Sequence, residues 1–245
     1  MVTQAAQGGP AVLQSLPPAD RRRLEAQATR VPLELRQVLY WPDEPITHVW
    51  FPVDAIGSLL TLLGAGDTVE AGLVGREGVI GLPLFLGAEA THGRAVCQIA
   101  GEAWRLPAAA FQEEARPDGP LRARLLRYTQ ALFQQVAQNS GCNRLHAHEE
   151  RCARWLLQIH DRVHGDAFHL TQEYLAVMLG LSRPSVTIVM GALQRAGLVA
   201  YHRGDLVILD RAGLEAAACE CYAITRAETE RLLGPVLGPN GAGGG

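Results

Sequence analysis

The sequence predicts an α+β chain in three successive parts, and three observations lead there. From Val31 to Leu106 short apolar runs alternate with Gly and Pro. After Pro120 apolar residues recur at helical spacing. Between Leu170 and Leu209 two short, well-capped helices are followed by a hairpin pattern. The expected units are a β domain over 11–118, a long helix over 119–144, a helical and hairpin unit over 145–233, and a disordered Gly/Pro-rich tail over 234–245.

In the first unit, Pro17-Pro18-Ala19-Asp20 leads into a short helix over Arg21–Ala28. Strands are expected at Ile46–Phe51, Ser58–Leu63, Thr68–Val74 and Ala95–Ile99, with glycine about every ten residues between them, the rhythm of an antiparallel barrel or sandwich with tight turns. In the second unit Leu121, Leu125, Tyr128, Leu132, Gln135 and Asn139 follow one another at spacings of three and four. Such a stripe either packs on the chain's own β domain or pairs with a second copy; its length and polar end point to a homodimer, with Leu121, Leu125, Tyr128, Leu132 and Asn139 at the interface. A further helix is expected over His146–His164, with Leu145, Cys152, Trp155, Leu156, Ile159 and Val163 on one face.

The segment LTQEYLAVMLGLSRPSVTIVMGAL carries the most specific signal. Thr171 is a suitable N-cap, Gly180 suits a left-handed stop, Ser182 caps a second helix, and Pro184 falls in its first turn, where a missing N–H costs nothing. Val186, Val189, Met190 and Leu193 give that helix one buried face, and small Ala176 lets the two helices cross closely. Together these are the positions of a helix-turn-helix. The strand, Arg203-Gly204-Asp205 turn and return strand that follow make it winged. Candidate nucleic-acid contacts are Arg183 for a guanine edge, Thr171, Ser182 and Ser185 for phosphates, Thr187 on the exposed helix face, and His202 and Arg203 at the wing tip.

With these residues in view, the chain resembles the Crp/Fnr family of transcription regulators. The likeness rests on LTQEYLAVMLGLSRPSV, the following GLVAYHRGDLVILD, the preceding RCARWLLQIHDRV, and VLYWPDEPITHVWFPVDAIGSLL upstream. It implies an N-terminal cyclic-nucleotide-binding-like β-roll, a dimerisation helix and a C-terminal winged helix-turn-helix. It also implies double-stranded DNA, a second copy, RNA polymerase and a small-molecule effector as partners. Arg183 matches the family's base-reading arginine, whereas Pro184 and Ile188 depart from its pattern and imply a different operator. Of the nucleotide-pocket residues only Glu77 and Arg94 approximate the family's roles, and neither motif is intact, which argues against cyclic AMP and leaves the effector unnamed. No N-terminal cysteine cluster of the iron–sulfur kind is present.

Composition bounds the alternatives. The 245 residues carry a net charge of −3, so any basic surface is local, and all 22 basic residues are arginine, the better fork for phosphate and guanine. No apolar run spans a membrane and no basic-then-apolar leader opens the chain, so a cytoplasmic location without a membrane partner is expected. Five scattered cysteines read as core residues or free thiols, Cys219 and Cys221 being the only close pair. His160 and His164, with His146 and His148 upstream, lack a third metal ligand in sequence, so no metal site is expected. No nucleophile elbow, P-loop or paired-carboxylate signature is present, and no enzymatic activity is expected. A competing reading is a ligand-sensing module whose helix-turn-helix contacts protein instead of DNA.

Overall fold

A computed structural model describes residues 9–64 and 67–238. Two short helices, α1 (Ala11–Gln14) and α2 (Pro18–Glu25), precede seven strands: β1 (Thr29–Leu33), β2 (Val38–Tyr40), β3 (His48–Pro52), β4 (Ile56–Leu62), β5 (Thr68–Val74), β6 (Arg94–Ile99) and β7 (Gly101–Pro107). They form two antiparallel sheets, ordered β1-β7-β3 and β2-β6-β4-β5. The fold class is the one the sequence predicts. The lead-in helix lies three residues earlier than expected: Pro18 already occupies its first turn, and it ends at Glu25, ahead of Thr29, which pairs with Arg105 in the first sheet.

The roll closes over a core that includes Val49, Phe51, Leu106, Ala95, Cys97 and Val74, sealed by α1, α2 and α3 (Ala108–Glu114). Side-chain alternation along β6 divides its residues between two cores. Ala95 and Cys97 point into the roll, whereas Val96 joins Ile56, Leu60 and Leu73 in a second cluster outside it.

The long helix α4 (Pro120–Leu145) carries the predicted stripe, but that stripe is turned inward. Leu121, Leu125, Tyr128 and Asn139 are all buried within the chain, and half-buried Leu132 packs on the roll's core. Tyr128 lies against Gly78, Gln135 Oε1 accepts from the Leu73 amide at 2.9 Å, and Asn139 Nδ2 donates to the Ala71 carbonyl at 3.0 Å. The assignment of these five residues to a dimer interface is therefore corrected: they hold the helix to its own β domain. The face left in solvent is Ala123, Leu126, Gln130, Phe133, Ala137 and Ser140, again at spacings of three and four.

The remainder is α5 (His148–His160), β8 (Ala167–His169), α6 (Gln172–Leu179), α7 (Arg183–Arg195), β9 (Val199–His202), β10 (Asp205–Ile208), α8 (Arg211–Ala217) and α9 (Cys221–Leu233). α5 is shorter at both ends than expected. Leu145 ends α4 and is exposed, while Asp161 and Arg162 leave the helix pattern to pair with half-buried Arg211 and buried Glu77. The first residues of the tail are not loose. Arg76 donates to the Val236 and Gly238 carbonyls, each at 3.0 Å, and the Gly238 amide donates to the Asp161 carbonyl. The rest of the expected disordered tail, 239–245, lies outside the described residues.

The second core joins the roll to this C-terminal unit: Trp155, Leu156 and Ile159 of α5 and Met178 and Leu179 of α6 pack with Ile56, Leu73 and Val96. Polar residues are buried at the same junction. Glu70 of β5 accepts from Trp155 Nε1 at 2.7 Å and from the Ser58 hydroxyl. Arg154 Nη1 donates to Asn139 Oδ1 at 2.7 Å and Gln158 Oε1 at 3.0 Å. Burial pushes the Glu70 carboxyl up to about 7, against the opposing pull of its bonds from Ser58 and Trp155 and the nearby Arg154 and Arg162.

Candidate nucleic-acid interface

Two short helices and a three-stranded sheet build the exposed end of the C-terminal unit. Thr171 Oγ1 accepts from the Tyr174 amide at 3.2 Å and starts α6. Gly180, at φ 61°, ends it in the left-handed region, which a side chain would strain. Ser182 Oγ accepts from the Ser185 amide at 3.2 Å and starts α7, with Pro184 in its first turn. The two helices cross at 105°, within the range of a helix-turn-helix.

The crossing is held from beneath. Leu175, Ala176, Met178 and Leu179 of α6 and Val186, Val189, Met190 and Leu193 of α7 are buried in one core. Each large side chain contributes about 1.5–3 kcal/mol by leaving water. Val177 points outward instead, because the residues on either side of it fill the inner face. Gln172 Oε1 accepts from Thr187 Oγ1 at 2.8 Å, and the Gln172 amide donates to Tyr201 Oη at 3.1 Å, so the start of α6 is tied to both α7 and β9.

The wing is a two-residue hairpin. His202 pairs with Asp205 across Arg203 and Gly204, whose φ values of 50° and 94° are both positive, the signature of a type I′ turn. A third strand, β8, pairs with β10 on the other side; it is short and carries no clear strand pattern, since only Phe168 of its three residues is buried.

Ser182, Arg183, Thr187, His202 and Arg203 are exposed on this end of the molecule, and Thr171 and Ser185 are partly so. Among the described residues no carboxylate lies within ion-pair distance of Arg183 or Arg203. The hydroxyls of Thr171 and Ser182 accept backbone amides as caps, the Ser185 hydroxyl bonds that of Ser182 at 2.8 Å, and Thr187 also lies in reach of the Arg183 carbonyl, so these hydroxyls are engaged within the chain before meeting any ligand.

The expected effector residues do not converge. Glu77 is buried and paired with Arg162 at 2.8 Å, with its other contact to the Gly75 amide. Arg94 lies on the outward side of β6, the side of Val96, so the alternation of the strand turns it away from the roll's interior. The pairing of Glu77 with Arg94 in one pocket is thus corrected. The roll does carry a cleft of 330 Å³, with Tyr40, Leu62, Leu86, Thr91, His92 and Leu132 among its walls and no arginine. These residues are scattered over four segments, which hid the cleft from sequence reasoning.

Residues 150–217 match the family of Crp-like helix-turn-helix domains. The chain carries a Crp-like helix-turn-helix domain. More than three quarters of the chain shares its fold with solved structures that include CRP-family transcriptional regulators. FixK2 from Bradyrhizobium japonicum superposes with a TM-score of 0.66 at 19% identity, covering 78% of this chain and 98% of its own. A CRP-family transcriptional regulator from Thermus thermophilus superposes at 0.64 with 20% identity, covering 77% and 96%. The c-di-GMP responsive global regulator CLP of Xanthomonas campestris superposes at 0.62 with 16% identity, covering 78% and 99%. No curated protein sequence matches the chain. The Crp-like domain takes in α5, the crossing helices, the wing and α8, so the described interface lies wholly inside it. Among the described residues no single helix is long and apolar enough to cross a membrane.

Proposed function

We propose that this protein is a sequence-specific DNA-binding transcription regulator, acting as a homodimer on an inverted repeat under control of a small effector. The observation that carries the reading is Arg183: an exposed guanidinium at the first turn of the second crossing helix, inside a Crp-like domain and, among the described residues, without an acidic partner. There it suits bidentate contact with a guanine edge in the major groove, while the start of the same helix and the wing-tip Arg203 suit phosphates. The exposed Leu126 and Phe133 of α4 support a dimer built on that helix's outer face. The arginine-free, largely apolar cleft supports an effector other than a cyclic nucleotide.

Footprinting on the region upstream of the protein's own coding sequence tests this. The expected result is a protected inverted repeat with half-sites about 34–36 Å apart. Binding should weaken steeply with salt as counterions are released. Arg183→Ala should lose discrimination at one base pair per half-site, about 1–3 kcal/mol. Equal loss on every sequence would make Arg183 a phosphate contact. Retardation indifferent to sequence, with or without added ligands, would overturn the reading and favour a helix-turn-helix that contacts protein.

A further inference from the structure

Three cysteines and a histidine meet where the long helix joins the Crp-like domain. Cys142 and His146 stand one turn apart at the end of α4, and Cys219 and Cys221 lie at the turn between α8 and α9. In sequence these cysteines read as core residues or free thiols and no metal site is expected; the long separation of the four residues along the chain concealed their convergence. One ligand atom from each of the four residues lies within 4.8 Å of all the others. Cys142 Sγ is 3.5 Å from Cys219 Sγ, and Cys221 Sγ is 3.5 Å from His146 Nδ1.

That spacing is the edge of a coordination tetrahedron. Zinc bonded at about 2.3 Å to sulfur and about 2.0–2.1 Å to nitrogen separates its ligands by roughly 3.5–3.8 Å. The surroundings are those of a metal site as well. His146 turns Nδ1 toward the sulfurs and Nε2 toward Glu220 Oε1 at 3.2 Å, so the carboxylate would fix the tautomer that leaves Nδ1 free to ligate. Gln138 Nε2 donates to Cys221 Sγ at 3.1 Å. The three cysteines also form a small buried cluster of their own, whereas Cys97 and Cys152 are packed among aliphatic side chains in the two main cores.

We propose that Cys142, His146, Cys219 and Cys221 form a closed Cys3His site for a thiophilic tetrahedral divalent cation, zinc by its ligand chemistry, clasping the end of α4 to the α8–α9 turn. All four positions are protein ligands, so the site is structural and keeps no position for water or substrate. Loading converts three thiols to thiolates and releases their three protons to solvent, while the imidazole binds neutral. The proposal stands apart from the DNA reading; a metal-free protein would leave that reading intact.

The full chain, produced in a reducing cytoplasm without an affinity tag and purified without chelator, should contain about one zinc per chain by elemental analysis. After chelation, added cobalt(II) should give the intense visible bands of tetrahedral coordination together with thiolate-to-metal charge transfer in the near ultraviolet. Cys142→Ala and Cys219→Ala should each abolish the charge-transfer signal of the full site and at least tenfold of the affinity, and exposed His148→Ala should keep both. Should a cysteine variant not fold by circular dichroism, thiol titration of the native chain decides: zinc should shield three thiols that chelation exposes. Native protein that takes up neither zinc nor cobalt would overturn the proposal, as would a cobalt spectrum without thiolate bands. A Cys142–Cys219 disulfide in freshly isolated cytoplasmic protein would replace the metal site with a redox pair.

Discussion

Glu70 shows how a single residue can tie two halves of a molecule together and leave a trace in solution. Its carboxyl is buried between β5 and α5, receives Ser58 Oγ and Trp155 Nε1, and is pushed by burial from the ordinary 4.5 up to about 7. In the folded chain it therefore binds a proton through a range in which the unfolded chain has released it. Stability from this group is greatest below about 4.5 and falls as pH rises toward about 7. Glu70→Gln, which fixes the neutral form, should flatten that part of the stability profile in urea titrations taken from pH 4.5 to 7. An unchanged slope would mean that another group sets it. Arg183 is the opposite kind of residue: it is exposed, and among the described residues no carboxylate lies within ion-pair distance of it.

At the scale of elements, α4 and the α6–α7 pair differ in how much of them could be read in advance. The crossing helices were legible almost to the residue because caps, the Gly180 stop and the Pro184 start are local chemistry. The apolar stripe of α4 was equally visible, but its partner was not. Helical periodicity says which residues share a face, and only the β5 strand, which donates to Gln135 and accepts from Asn139, says where that face points. The outer stripe, centred on Leu126 and Phe133, is weaker in sequence because small and polar residues fill its other positions. Phe133→Glu should yield monomers by sedimentation with an unaltered circular dichroism spectrum. Leu125→Ala should instead lower stability by about 2–5 kcal/mol, the range for truncating a buried leucine, without changing the oligomeric state. A dimer that survives Phe133→Glu would move the interface off α4.

The whole molecule is less divisible than its three-part sequence suggests. The outer face of the β2-β6-β4-β5 sheet and the helices of the Crp-like domain share one core, with Ile56, Leu73 and Val96 contributing from one side and Trp155, Ile159 and Met178 from the other. Neither part buries these side chains alone. Calorimetry should therefore show one transition, with calorimetric and van't Hoff enthalpies in agreement. Two separated transitions would show that the shared core does not couple the parts. This junction was the least legible feature of all, since alternation along β6 marks two faces of a strand without saying that both are covered, and the same blindness hid which side of the sheet Arg94 would occupy. The bond from Trp155 to Glu70 gives the junction a further property: the protein contains its own dye. An indole whose N–H points at a titrating carboxyl has its transition energies shifted by the charge beside it, so once Trp41, Trp50 and Trp104 are replaced by Phe, the colour and brightness of Trp155 emission should report, without any added label, whether the two halves are in contact and which protonation state joins them.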